Sequence, residues 1–458
     1  MIFQKIVSVL ENLKGLRLFA FVALVSFGVI AVGAMKTGYK EPVADALGYA
    51  DRAIAFSVIP EQKETEQHNV IVFAPLYPAV LSSLAMLDTR LDETLECYHN
   101  RVGGCDVNGL ALVYWFQILL GALSAVVLFY TAENITGNRL VSLTTFVFVL
   151  IFGKFHDYAV WLITESFYYF LFFCFAYFSS CFLFSENRKR FVFFAAFFLS
   201  LAALARPPYL YLYYALVLAL PVYLLLARKL PLQKILAVSL TFLVPFCVLV
   251  LPWMLRNLEY YGVFGVSAGY ASFILSERVT YNLMTWQEFL VSWIYWLPDF
   301  GDSLAASLFA PEYWQRLDFG YPEGFYLIGN TETRSTIYSL ASTDPERVRI
   351  LVSQYILAEP FKHVMVTLAL AWRGMLVVKY FSLFGVVALF PALKRLGKRQ
   401  EGDKLLAFAF SFFFMLGFNA FVSVNVARYN VPLIFIYSLA VAVVLAALVS
   451  FFQQKLRR

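Results

Sequence analysis

Apolar runs nearly free of charged side chains recur along this chain, most of them close to the roughly twenty residues that cross the hydrocarbon core of a bilayer as a helix. We read ten: Leu18–Met35, Leu110–Ala132, Leu140–Phe155, Ser166–Phe184, Phe191–Ala205, Tyr209–Ala227, Ile235–Leu255, Tyr380–Leu393, Leu405–Val424 and Val431–Phe452. The third is short. Hydrophobic residues make up 61% of the sequence and charged ones only 14%, too little polar surface to clothe such a core in water. The expected fold is an all-α polytopic membrane protein, a bundle of about ten transmembrane helices in a single integral membrane domain over residues 1–458.

Short loops rich in Lys and Arg stay on the cytoplasmic side, which orients the bundle. Lys5, Lys14 and Arg17 precede the first run. Arg188 to Arg190 follow the fourth, Arg228 and Lys229 the sixth, Lys394 to Arg399 the eighth, and Lys455, Arg457 and Arg458 the last. Both termini are thereby expected in the cytoplasm. The net charge of +6 is spread over these loops and implies no nucleic-acid partner. Leu76–Leu87 is too short to span, and counting it would move Arg188–Arg190 outside. It is expected to be a re-entrant or interfacial helix, introduced by Pro75 and Pro78. The first run is read as a span, since Val32-Gly33-Ala34 makes a weak cleavage site.

Two loops on the outer side are long, 36–109 and 256–363, and function is to be sought there. Trp286, Trp293, Trp296 and Trp314 suit either an interfacial aromatic belt or stacking on a sugar ring. Cys97 and Cys105 flank YHNRVGG and suit a disulfide in an oxidising compartment. With His99 and Asp106 they also offer zinc-ligand types at poor spacing. Cys174, Cys181 and Cys247 lie inside runs and read as core residues. His363–Val378, with Arg373 in an apolar stretch, is expected along the outer interface, its basic groups reaching for lipid phosphates.

Asp45 lies a short way past the first run, in EPVADALGYADRA, where a carboxylate tipping into lipid would be costly. If Pro42 starts a helix, Asp45, Tyr49 and Arg52 share one face. That arrangement suits an ordinary intrahelical network or a catalytic base held in position. Basic residues stand at neighbouring run ends: Arg206 in LARPPY, Arg256 in PWMLRN, Arg428 in NVARYN and Lys154 in GKFHD. Each can anchor its own helix to headgroups. Together they form a berth for a phosphate, which arginine grips in bidentate fashion. Sugar transfer from a lipid phosphate needs this equipment: cations to absorb the leaving group's charge and one base for the acceptor's proton. Glycoside hydrolysis would instead want two carboxyl groups flanking the bond.

Taken in order, DALGYADRA, PLYPAVLSSL, FQILLGALSAVVLFYTAENITGNR, WLITESFYYFLFF, LARPPYL, PWMLRNLEYYGVFGVS and ARYNVPLIFI resemble the GT-C superfamily of polyprenyl-phosphate-sugar glycosyltransferases. The resemblance is nearest to the bacterial branch of protein mannosyltransferases, aminoarabinose transferases and lipopolysaccharide galacturonosyltransferases. It runs from Lys40 to Tyr437 and lies in the ordered set, not in any single motif. It implies a GT-C-like bundle with juxtamembrane helices in the first outer loop and an active site facing the periplasm or exterior of a bacterial inner (plasma) membrane. It also implies a polyprenyl-phosphate-linked sugar donor, a lipid, glycan or protein acceptor, inversion at the anomeric carbon, and a catalytic carboxylate that maps onto Asp45.

Departures from the family pattern matter as well. Asp45 is followed by Ala46 where protein mannosyltransferases carry Asp-Glu, so a second carboxylate comes from elsewhere or is not needed; the candidates are Asp157, then Glu165, which equally suits a helix cap. The Trp-Trp-Asp motif of oligosaccharyltransferases is missing. Tyr77 in PLYP and His156 beside Asp157 join Tyr49, Arg52 and Glu165 as supporting residues. No cofactor is certain; some relatives use a divalent metal, and no ligands are assigned here. Two further classes stay open: a secondary transporter or lipid-linked-sugar flippase, which the lack of charge at run centres disfavours, and an O-antigen polymerase or ligase.

Overall fold

The computed structural model describes residues 15–43, 45–57, 73–185, 188–399 and 402–456, with no β-strand among them. The chain opens with α1 (Gly15–Thr37), followed by three shorter helices, α2 (Asp45–Ser57), α3 (Leu76–Ala85) and α4 (Thr89–His99). Next come α5 (Val107–Thr136), α6 (Arg139–Phe152), α7 (Glu165–Phe184), α8 (Lys189–Ala205), α9 (Pro208–Leu226) and α10 (Leu232–Tyr261). A second region of short helices includes α11 (Ala271–Thr280), α12 (Trp286–Tyr295) and α13 (Pro360–Met375). The chain returns as α14 (Lys379–Lys398), α15 (Gly402–Val422) and α16 (Leu433–Lys455).

Eight described helices are long and apolar enough to cross a membrane: α1, α5, α7, α9, α10, α14, α15 and α16. The chain is an all-α, multi-pass membrane protein. Two shorter helices complete the ten expected runs, α6 lying against α5 and α16, and α8 against α7. Side-chain contacts sort the helix ends into two levels. At one, Glu165 opening α7 meets Arg206 after α8 and Arg428 before α16. At the other, Asn134 near the end of α5 bonds Ser180 and Cys181 of α7, and Asp403 opening α15 meets Tyr223 and Arg228 at the end of α9. Helices α7, α8 and α9 therefore alternate in direction, and so do α15 and α16, as in an up-and-down bundle.

Local chemistry sets where the helices break. Two prolines at 207 and 208 end α8 and start α9, leaving Arg206 extended at φ −150° on the turn between them. Gly137 closes α5 at φ 57°, a left-handed value that glycine adopts without strain, and the side chain of Asn138 caps α6 by accepting from Val141 N–H. In α10, Pro245 precedes a wide five-residue turn, Phe246–Val250, which carries the helix past the missing donor without breaking it.

Three expectations are corrected. Helix α10 continues through LRNLEYY to Tyr261 and stops at Gly262, so the second long segment begins at 262 and not at 256. Arg256 thus lies inside the helix. Cys247 is exposed on the outside of the bundle, while Cys174 and Cys181 are buried as expected. Helix α13 does turn Phe361, Val364 and Leu368 outward, but Arg373 does not reach away from the protein: its guanidinium lies 3.9 Å from the Phe319 ring centroid, inside the second segment.

Candidate active site

Asp45 is the first residue of α2, where the unpaired N–H groups of a helix start favour a carboxylate. Its Oδ2 lies 3.2 Å from Arg428 Nη2, and each side chain keeps about a third of its surface open, 36% and 35%. Arg428 also approaches Glu165, Nε to Oε1 at 3.8 Å, and Glu165 in turn holds Arg206 Nη1 at 3.0 Å. Two carboxylates and two guanidiniums thus form one chain, Asp45–Arg428–Glu165–Arg206, graded from open at Asp45 to sealed at Glu165, which is 4% exposed.

Aromatic rings fix this chain in place. The Arg206 guanidinium sits 4.6 Å from the ring centroid of Tyr168 and 4.7 Å from that of Tyr429. The hydroxyl of Tyr169 donates to the Arg428 carbonyl at 2.6 Å, pinning the turn before α16 to α7. Burial opposes charge on Arg428, but the charges of Glu165 and Asp45 outweigh it and hold its pKa above the ordinary arginine value. It stays a cation.

The long segment 262–378 closes the other side. Tyr49 of α2 meets the ring of Phe73 at 5.2 Å, Phe73 meets Tyr270 at 6.4 Å, and Tyr270 stacks on Phe273 at 5.1 Å. Gly48 permits the first of these contacts, since a Cβ there would come 2.7 Å from the Phe73 ring. Behind Phe273 lies a third ion pair, Glu277 Oε1 to Arg334 Nη2 at 3.2 Å, with the Arg334 guanidinium stacked over Phe273. Burial raises the Glu277 carboxyl to about 7; Arg334 pulls it down and the charge of Asp45 pushes it up. Tyr270 is raised by burial and then by Asp45, so its phenol stays neutral beside that carboxylate.

Of the residues singled out from sequence, the structure brings together Asp45, Tyr49, Glu165, Arg206 and Arg428. Tyr77 supports from beneath: it is fully buried, meets Tyr49 edge-on at 5.2 Å, and its hydroxyl reaches Gln117. Arg52 is half-buried farther along α2. Asp157 is 44% exposed and faces its neighbour His156 at 3.3 Å, so the second carboxylate of the cluster is Glu165 and not Asp157. The His156 ring packs on Gly33 of α1, and the segment borders the site through Tyr158, whose ring meets Tyr169 at 5.9 Å. Lys154 precedes that turn in the left-handed region at φ 54°. Arg256 is bracketed by Trp253 at 4.5 Å and Tyr260 at 5.3 Å and bonds Asn257, all on its own helix. That is the anchoring role and not a phosphate berth.

The disulfide Cys97–Cys105 forms, and the loop it closes holds Asp51 of α2 through His99 Nδ1 at 3.1 Å and Arg101 Nη2 at 2.8 Å. Cys97 and Cys105 are therefore spent on a covalent clamp and not on zinc. A divalent ion fits the cluster poorly, because Asp45 and Glu165 already face guanidiniums and no group of three His, Cys, Asp or Glu side chains converges among the described residues.

Sequence reading passed over Glu277, Arg334, Tyr270 and Tyr429. A signal existed for the first: Glu277-Arg278 is a charged doublet in the otherwise apolar ASFILSERVTYNL. Arg278 anchors that helix, donating to the carbonyls of Ala420 and His363 and to Asn282 and Thr367. A large apolar cavity of about 410 Å³ lies elsewhere, lined by Phe175, Phe182, Ala195, Leu216, Phe242 and Phe412. The rings of Phe172 and Tyr209 meet at 5.3 Å, Phe172 also touching Phe412 of that cavity and Tyr209 touching Tyr168 beside Arg206. Comparison with known proteins finds no family model and no curated protein that matches the chain.

Proposed function

We propose that the chain is a membrane glycosyltransferase that moves a sugar from a polyprenyl-phosphate carrier to a hydroxyl of a lipid, glycan or protein acceptor. The observation that carries this reading is the open end of the charge chain: a partly exposed carboxylate, Asp45, and a partly exposed arginine, Arg428, side by side at the ends of apolar helices. The order of the sequence motifs supports it, and the excess of Lys and Arg in the loops at the opposite level supports a site facing the outside of a bacterial inner membrane.

In this reading Arg428 serves two anions in turn. At rest it neutralises Asp45. An arriving sugar phosphate competes for the guanidinium, which frees Asp45 to face the acceptor. The acceptor oxygen then attacks the anomeric carbon from the side opposite the phosphate, its proton passing to Asp45 as the new C–O bond forms. The bond from carbon to phosphate oxygen breaks with its electron pair, and the phosphate leaves as an anion on Arg428, with inversion at carbon. Glu165 and Arg206 do not touch the substrate; they hold Arg428 at the correct depth. Tyr49 and Tyr270, neutral phenols, stand within electrostatic reach of Asp45.

The test is reconstitution of the purified protein with a radiolabelled polyprenyl-phosphate sugar and a crude envelope acceptor fraction. The reading requires label transfer that Asp45→Asn abolishes without loss of folded protein. Movement of the intact lipid across the bilayer with no transfer would support a flippase in its place, and release of a pyrophosphate carrier a polymerase or ligase. Full activity of Asp45→Asn would remove the base.

A further inference from the structure

Arg373 is a half-buried arginine that no carboxylate faces among the described residues. It lies in the last turn of α13, folded under the second segment, 3.9 Å from the ring centroid of Phe319 and 5.4 Å from that of Trp296. Its Nη1 is sealed from solvent without a hydrogen-bond partner, and no carboxylate pairs with it among the described residues. Burial pushes its pKa down, opposed by the Tyr281 phenol, which also hydrogen-bonds the guanidinium, and by that of Tyr295. The surrounding apolar cluster holds two more buried donors without an acceptor: Tyr281 Oη, beside the guanidinium, and Trp314 Nε1, whose ring stacks on Tyr295.

Comparison with other buried and half-buried arginines sharpens the point. Arg206 has Glu165, and Arg334 has Glu277. Arg278, which has no carboxylate, is satisfied by four oxygen acceptors. A folded chain tolerates a cation with a sealed, unsatisfied donor and no facing carboxylate only at a cost in stability, which makes such a group a candidate for recognition and not for scaffolding. The position also suits a ligand. Phe319, which carries the guanidinium on one face, packs against Tyr326 at 4.5 Å, and Tyr326 lies within electrostatic reach of Arg428 and Glu277. Two rings, Phe319 and Tyr326, thus run from the Arg373 guanidinium toward Arg428 and Glu277.

We propose that Arg373 and Tyr281 form a second binding site that takes one oxyanion, a phosphate or a carboxylate group, in the segment 262–378. The oxyanion accepts from the guanidinium and from the Tyr281 hydroxyl, supplying the acceptor this donor-rich cluster lacks. The inference does not depend on glycosyl transfer, because it rests on the charge balance of this cluster alone.

The full-length protein in neutral detergent is titrated with inorganic phosphate, with glucuronate and with short-chain phosphatidic acid, followed by tryptophan fluorescence. A short-chain zwitterionic choline lipid is the control. Saturable binding of at least one anion is expected, weakened about tenfold or more in Arg373→Met and several-fold in Tyr281→Phe. A response to phosphatidic acid alone would assign a lipid headgroup; a response to phosphate or glucuronate would assign a soluble anion, and either supports the site. Without any anion, the Tm of Arg373→Met should equal or exceed that of the wild type, as expected when an apolar side chain of similar volume replaces a cation that no carboxylate faces. Unchanged anion affinity in Arg373→Met, no anion response in the wild type, or a lowered Tm of Arg373→Met in anion-free buffer would each overturn the proposal.

Discussion

Arg428 reaches back across 383 residues of sequence to hold Asp45, Nη2 to Oδ2 at 3.2 Å. The contact ties the turn before the last helix to the first helix after α1, so it reports directly on how the bundle closes. Because both side chains are partly open, the pair contributes little to stability, about 0–1 kcal/mol as exposed pairs do. Arg428→Ala should therefore lower Tm only modestly, since the sealed Glu165 keeps its closer partner Arg206. On the proposed mechanism it should raise KM for the lipid-phosphate donor about tenfold or more and lower kcat too, since the same guanidinium serves ground and transition states. Paired kinetic and thermal measurements check this, and a collapse of Tm with no kinetic defect in the folded fraction would contradict it.

The next link in the same chain behaves in the opposite way. Glu165 is sealed, and Arg206 is its closest partner at 3.0 Å. Removing either takes the closest counterpart from a buried charge, leaving Glu165 only the more distant Arg428 when Arg206 is lost, at a cost of up to about 3–5 kcal/mol. Arg206→Ala and Glu165→Ala are expected to extract poorly and to melt well below the wild type. In the double variant Glu165→Gln/Arg206→Met part of that loss should return, which a thermal-shift series in detergent would read. Additive losses in the double variant would mean that the two residues act independently.

Glu277 gives a dependence on pH with a definite sign. Its carboxyl is raised to about 7 in the folded protein against about 4.3 in an unfolded chain, so between those values the folded state binds the extra proton. Its contribution to stability is fully present below about pH 4.3 and is lost as pH rises through about 7. Glu277→Gln should flatten the fall of Tm between pH 5 and 8. Identical slopes for the two proteins would show that Glu277 titrates normally.

The clamp on α2 makes a redox prediction. The Cys97–Cys105 bridge closes a short loop, of sequence separation 8, whose His99 and Arg101 grip Asp51. Closing a loop of that size is worth about 2–3 kcal/mol on the chain-entropy model. Cys97→Ser/Cys105→Ser, or reduction of the wild type, is expected to speed hydrogen exchange over 45–57 and to lower transfer activity, because Asp45 starts that helix. Unchanged exchange in the reduced protein would separate the clamp from the catalytic helix.

The ten apolar runs were legible because a bilayer imposes a length and an apolar composition on whatever crosses it, and every run meets a helix. Asp45, Arg206 and Arg428 were legible for a related reason: charged groups at the ends of such runs are few and stand out. The disulfide was readable from two cysteines around a Gly-Gly turn. Of the two roles open to Arg256, the contacts favour anchoring, and Trp253 and Tyr260, three residues before it and four after, already stood on its own helix face.

What tertiary structure alone decided is which charges meet. Whether Asp45 faces Arg428 or Asp157, whether Arg373 turns toward lipid or into the protein, and that Glu277 backs onto the same space all depend on how the segment 262–378 folds over the helix ends. That segment consists of short helices with no sustained apolar period and is joined by contacts between residues far apart in the chain. Apolar length is a property of consecutive residues and is written in their order. Charge pairing is a property of distance in space, and no order of residues states it.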